Sequence, residues 1–157
     1  MTILESITQF LQKQGIPFST VHHEETRTSE ESARARGEDI SIGGKALLVK
    51  IDDAFRLFVI SASQRVDSKK IKVHFGAKSI RFANEEELRR LTGLIPGAVP
   101  PFGRPIQDLD LFVDESITRN TKIAFNAGSL TDSIIMQTED YLRAAKPTVL
   151  SFSQQQK

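Results

Sequence analysis

Residues 92–105 read TGLIPGAVPPFGRP, and this segment limits the fold more tightly than any other in the chain. It holds three glycines and four prolines. Proline lacks the N–H that a helix interior or a central strand needs, and glycine gives up conformational order, so the segment must be a stiffened, irregular loop. Around it the chain has to build a core from short elements. At 157 residues it suits one domain, since single cores commonly serve roughly 100–200 residues.

Short elements are what the patterning predicts. Thr2 and Glu5 have capping-box spacing ahead of an apolar helical stripe (Leu4, Ile7, Phe10, Leu11) that Gly15 can end. Residues 17–22 alternate like a half-buried strand, and Thr28 with Glu31 opens a helix running to Gly37. Residues 46–51 and 56–62 read as a hairpin closed by Asp52, Asp53 and Ala54. Asp67 is placed to cap the next helix, residues 79–83 to form a strand, and Asn84 with Glu87 to open another helix. Beyond the loop, strands are predicted over 109–113, 122–126 and 133–137, then a helix capped by Thr138 and an edge strand over 148–152. Strands and helices interleave without βαβ regularity. The expectation is a single-domain α+β fold over residues 1–152, with a mixed, strongly curved, barrel-like sheet surrounded by short helices and a frayed tail at 153–157.

Several functional classes drop out. The chain has no cysteine, which removes disulfides, thiolate metal sites and a cysteine nucleophile. No run approaches the ~20 apolar residues of a membrane span, and the start lacks the basic and apolar regions of a signal peptide, so a cytoplasmic protein with no membrane partner is expected. Net charge is +1, so nucleic-acid binding would need a local patch. One exists: Arg65, Lys69, Lys70, Lys72 and Lys78 are opposed within their segment by Asp67 alone. A solvated helix face is the plainer reading of that run.

Familiar catalytic motifs are missing. There is no P-loop, dinucleotide fingerprint, HExxH or G-x-S-x-G elbow. Of the three histidines, His22 and His23 are adjacent in a predicted strand and should face opposite ways. A hydrolase so equipped must act on an already activated bond, and an aminoacyl ester is one.

Three segments carry a resemblance. They are Gly43-Gly44-Lys45 leading into the apolar run Ala46-Leu47-Leu48-Val49, the 92–103 loop, and Phe125-Asn126-Ala127-Gly128-Ser129 before a last strand and helix. In this order they resemble the YbaK/ProX editing domains associated with prolyl-tRNA synthetase, over about residues 2–146. The resemblance implies a free-standing, trans-acting aminoacyl-tRNA deacylase that needs neither metal nor cofactor, with water as the nucleophile positioned by the terminal adenosine's hydroxyl and by backbone groups. It implies catalytic roles for Lys45, Gly97, Ala98 and Gly128, and substrate contacts from Pro100, Pro101, Phe102, Gly103, Asn126, Ser129 and Ser133. The tRNA body would lie across Arg65, Lys69, Lys70, Lys72 and Lys78. Physical chemistry suits these roles. A strand-end lysine is a point cation for a phosphate, a Gly/Pro loop can aim N–H groups at an oxyanion, and Gly128 would permit close approach of substrate or simply mark a bulge.

Two departures leave the edited amino acid open. Ser133 stands where cysteine-directed members carry an aspartate, and Ala46 where alanine-directed members carry an asparagine. The partners implied are the acceptor end of aminoacyl-tRNA and a prolyl-tRNA or other synthetase. A non-catalytic tRNA- or oligonucleotide-binding module of the same fold is the alternative, and turnover of mischarged tRNA separates the two.

Overall fold

The structure is a computed structural model, describing residues 1–154. Capping side chains start most of its helices where the sequence places them. Thr2 accepts from the Glu5 N–H before α1 (Ile3–Lys13), Thr28 from Glu31 before α2 (Ser29–Arg36), and Asp67 from Lys69 before α3 (Ser68–Phe75). Asn84 and Glu87 complete a full capping box at α4 (Glu85–Thr92). Glycines in the left-handed region end α2, α3 and α4. The short α5 (Glu115–Thr118), capped by Asp114, has no apolar stripe long enough to predict it. Thr138 does not cap α6 (Thr138–Ala145). It is already the first helical residue, because strand pairing holds the chain as far as Gln137, and its hydroxyl is buried without a partner.

Among the described residues eight strands form: β1 (Ser19–His22), β2 (Gly44–Ile51), β3 (Ala54–Ser61), β4 (Ile80–Phe82), β5 (Leu111–Asp114), β6 (Lys122–Asn126), β7 (Asp132–Gln137) and β8 (Thr148–Leu150). The expected α+β architecture with a mixed sheet is present, but its strands divide between two sheets rather than one barrel-like wall. One is antiparallel, in the order β1-β7-β6; the other is mixed, in the order β4-β2-β3-β5-β8. Among the described residues they meet at one parallel bridge, between Gly43 and Ala124. The glycine pair before Lys45 makes that approach possible, since a Cβ on Gly44 would sit 2.8 Å from the Ile123 side chain. The glycine pair that leads into the apolar run of β2 thus lies on the seam between two sheets.

Apolar faces of both sheets, with α1 and α6, bury one core around Leu57, Val59, Val113, Phe125 and Tyr141. A second core, on the other face of the five-stranded sheet, gathers Phe58, Ile71 and Phe152 beneath α3, and Phe58 stacks on Phe112 at 5.1 Å. Each large side chain so buried contributes about 1.5–3 kcal/mol. Ser153 and Gln154, where fraying was expected to begin, are tied to this layer: Val66 bridges Ser153, and the Gln154 N–H donates to the Arg65 carbonyl at 2.8 Å. The rest of the tail expected to fray lies outside the described residues. Among the described residues no helix is long and apolar enough to cross a membrane.

Candidate active site

A cleft of about 480 Å³ opens between α2, the start of β2 and the Gly/Pro loop. Helical period puts Ser29, Ser32 and Arg36 on one face of α2, and that face forms one wall. Lys45, at the mouth of β2, stands on another, and Pro96 and Gly97 close the rim. Among the described residues Arg27, Arg36 and Lys45 line the cleft, whereas no carboxylate does. Arg27 is paired with Glu25. Among the described residues neither Lys45 nor Arg36 forms an ion pair. Two uncompensated cations therefore face a cavity in a chain whose net charge is only +1. Such a cavity attracts anionic groups.

The loop splits into two halves. In the first, the Ala98 N–H donates to the Ile95 carbonyl at 3.1 Å around Pro96 and Gly97, and Gly97 has φ +87°. Proline then glycine in the left-handed region is the chemistry of a type II turn. The Ala98 N–H is thus used inside the loop, while those of Gly97 and Val99, both at the cleft, find no acceptor among the described residues. In the second half Pro100, Pro101, Phe102 and Gly103 are buried away from the cleft. Phe102 packs edge-on against Phe10, Phe125 and Tyr141, and the Tyr141 hydroxyl donates to the Pro101 carbonyl. Burial pushes that phenol well above its ordinary range, so it stays protonated and donating. Gln107 donates to the Pro100 and Phe102 carbonyls at 3.2 and 2.7 Å. A Cβ on Gly103 would run into the Leu109 carbonyl. The substrate contacts expected of these four residues are not what their packing provides: they anchor the loop.

Gly128 also faces protein. It has φ +90°, and a Cβ there would lie 2.7 Å from Ile3 of α1. Its N–H donates to the Ala98 carbonyl at 2.9 Å, so it ties β6 to the loop rather than opening a path for substrate. Ser129 donates to Asp132 at 2.9 Å in the β6–β7 turn, outside the cleft.

Asn126 lines the cleft, with both ends of its amide engaged. Its Nδ2 donates to the Gly97 carbonyl at 2.8 Å. Its Oδ1 lies 3.0 Å from Arg36 Nη2 and 3.1 Å from the Ser133 hydroxyl. Arg36 Nε donates to that same hydroxyl at 2.9 Å, and His23 Nε2 lies 2.9 Å from it. His22 turns to Asp132 instead, at 2.8 Å. The two histidines diverge as strand alternation requires, and His23 supports the wall of the cleft through Ser133.

The basic run lies beyond the cleft, on and around α3. Lys69, Lys72 and Lys78 are exposed, as is Arg65, while Lys70 donates to the Ser153 carbonyl at 2.8 Å. Sequence reading missed Arg36, Thr26 and Ser32, which also line the cleft. The signal available was the Ser29, Ser32, Arg36 spacing along one helix face. Among the described residues no group of three or more histidines and carboxylates is placed to hold a metal ion.

Comparison with known proteins bears on this arrangement. Residues 23–144 match the family model described as the aminoacyl-tRNA editing domain. The multifunctional Ser/Thr-tRNA deacylase ProXp-y of Escherichia coli K12 is 33% identical over 153 residues, with 94% of this chain and 91% of that protein covered. A proline–tRNA ligase of Shouchella clausii is 34% identical over 103 residues, which span 66% of this chain but 18% of the ligase. A solved structure described as a candidate trans-editing enzyme for prolyl-tRNA synthetase shares the fold, with a TM-score of 0.85 at 24% identity and 99% of both chains covered.

Proposed function

The chain belongs to the aminoacyl-tRNA editing domain family, and from that membership we propose that it acts in trans as a deacylase, hydrolysing seryl- and threonyl-tRNA. Water adds to the ester carbon, the bond to the ribose oxygen breaks, and a free amino acid and an uncharged tRNA 3′ end result. The preference for serine and threonine rests on the likeness to the deacylase that covers nearly the whole chain.

One observation carries the assignment of the cleft as the reacting site. Two cations without an ion-pair partner among the described residues, Lys45 and Arg36, stand on separate walls beside a turn whose Gly97 and Val99 N–H groups find no acceptor there. Lys45 holds a phosphate of the acceptor end as a point charge. The free N–H groups receive the negative charge that develops on the ester oxygen, where fixed donors act most strongly. Asn126, Ser133 and Gly128 hold this geometry without touching substrate. As the family resemblance implies, the attacking water is oriented by the substrate's own terminal hydroxyl and by backbone groups, and no metal ion is invoked. The tRNA body crosses the exposed lysines of α3. The protein works in the cytoplasm, where a prolyl-tRNA or other synthetase, whose relatives carry a similar segment, supplies the mischarged tRNA.

Incubation with tRNAs carrying serine, threonine, alanine, cysteine or proline tests the reading. Release of serine and threonine ahead of the other three supports it. Salt-dependent tRNA binding with no release of any amino acid would make the protein a binding module instead.

A further inference from the structure

We propose that Arg36 is the positioning residue of the cleft: it fixes which way the Asn126 amide faces, and through that amide it holds the Gly97 turn in its working shape. The inference rests on the deacylase reading for its kinetic consequence and on geometry alone for the lock itself.

An asparagine amide is nearly symmetric in shape but not in chemistry, since one end donates and the other accepts. A guanidinium only donates. With Arg36 Nη2 at 3.0 Å, the oxygen of Asn126 must face α2, and its NH2 group is forced towards the loop. There it meets the Gly97 carbonyl at 2.8 Å. The neighbouring Ala98 carbonyl is held by the Gly128 N–H at 2.9 Å. Two consecutive carbonyls of the turn are thereby pinned, and the Gly97 N–H is left without an internal acceptor.

Other donors do not make Arg36 redundant. His23 Nδ1 lies 2.8 Å from the Glu24 carbonyl, which can only accept, so Nδ1 carries a proton. In the neutral ring Nε2 is then the acceptor of the Ser133 hydroxyl at 2.9 Å. That hydroxyl has one proton for two acceptors, His23 Nε2 and Asn126 Oδ1 at 3.1 Å, whereas the Arg36 fork only donates and is always available to Asn126. Holding an unpaired cation here is costly: burial lowers the Arg36 guanidinium to about 10, though it remains charged at neutral pH. A neutral side chain would fill the space at less expense. What it would lack is a rigid fork that serves two oxygens at once, Ser133 through Nε and Asn126 through Nη2.

The test uses Arg36→Met, Arg36→Lys, Asn126→Ala and the Met/Ala double variant in single-turnover hydrolysis of seryl-tRNA. Arg36→Met and Asn126→Ala should each slow the step on the order of 100-fold, as loss of positioning does, with the half-saturating tRNA concentration unchanged. The double variant should be no slower than the worse single one. Lysine should recover little, because one ammonium on a flexible stem does not reproduce the fork. A full rate in Arg36→Met, or losses that multiply in the double variant, would overturn the proposal. An arm independent of turnover reads the Asn126 side-chain NH2 resonances by nitrogen-15 NMR, identified by their absence in Asn126→Ala. Solvent exchange of those protons should accelerate in Arg36→Met, and unchanged exchange would also overturn the lock. If the parent protein hydrolyses no charged tRNA, the deacylase reading falls, and this arm alone decides for or against the Arg36–Asn126 lock.

Discussion

The two halves of the Gly/Pro loop have similar compositions and opposite surroundings. Pro96 and Gly97 are exposed at the cleft rim, while Pro100, Pro101, Phe102 and Gly103 are buried. The first half is held by the Asn126 side-chain amide and the Gly128 N–H; the second is locked by Tyr141, Gln107 and a ring of aromatics. Glycine and proline make both halves stiff, but they do not decide which half meets solvent. Partners distant in sequence decide that. In the proposed function the anchored half serves stability and the rim half serves the chemistry.

Substitutions that strike one half and not the other are the sharpest probes of this division. Phe102→Ala should have the largest effect on stability, a loss of about 3–5 kcal/mol for a fully buried aromatic, read by denaturant unfolding. Hydrolysis per folded molecule should be unchanged, and a slower rate in folded protein would put Phe102 in the site. Gly97→Ala is next. A side chain at φ +87° costs about 1–2 kcal/mol, but here the folded protein should hydrolyse seryl-tRNA more slowly. An unimpaired rate would reduce the rim half to a connector.

Effects outside the loop should be smaller. Replacing Lys69, Lys70 and Lys72 with alanine should flatten the salt dependence of tRNA binding by roughly two in slope, at ~0.9 per phosphate contact, because Lys70 is already committed to Ser153. The maximal rate should hold. An unaltered slope would make α3 a solvated face. Smallest is the cap of α4, the helix that feeds the loop. Paired with Arg81 and the Asn84 N–H, Glu87 is lowered to about 2. A depressed carboxylate stabilises the fold above its unfolded value and loses that contribution as pH falls through the folded one. Stability should therefore decline between roughly pH 4.5 and pH 2, and Glu87→Gln should flatten the decline. An identical acid profile in that variant would remove Glu87 from the account.

Local physics was legible in the sequence. Asn84 with Glu87 announced a capping box, Asp52 the hairpin turn, and the Gly/Pro loop its own irregularity. Lys45 and Gly97 were identified through family resemblance and stand at the cleft. What escaped was non-local. Gly43 and Gly44 did not reveal that two sheets cross at them, because the bridge partner, Ala124, is in another part of the chain. Phe102 was read as a substrate contact through the resemblance of its loop, and the aromatic neighbours that bury it come from α1, β6 and α6. Arg36 drew no notice at the end of a charged helix, since its meaning depends on Asn126, 90 positions away.

The central claim is that the cation-lined cleft is where the ester is hydrolysed, and Lys45 tests it most directly. The residue is exposed, and among the described residues it has no ion-pair partner, so Lys45→Ala should change stability by no more than about 0.5 kcal/mol. The measurement is hydrolysis of seryl-tRNA by parent and variant at matched folded concentrations. The account predicts that the variant melts with the parent and loses most or all of its activity. A variant that hydrolyses seryl-tRNA as fast as the parent would contradict it and move the reaction out of this cleft.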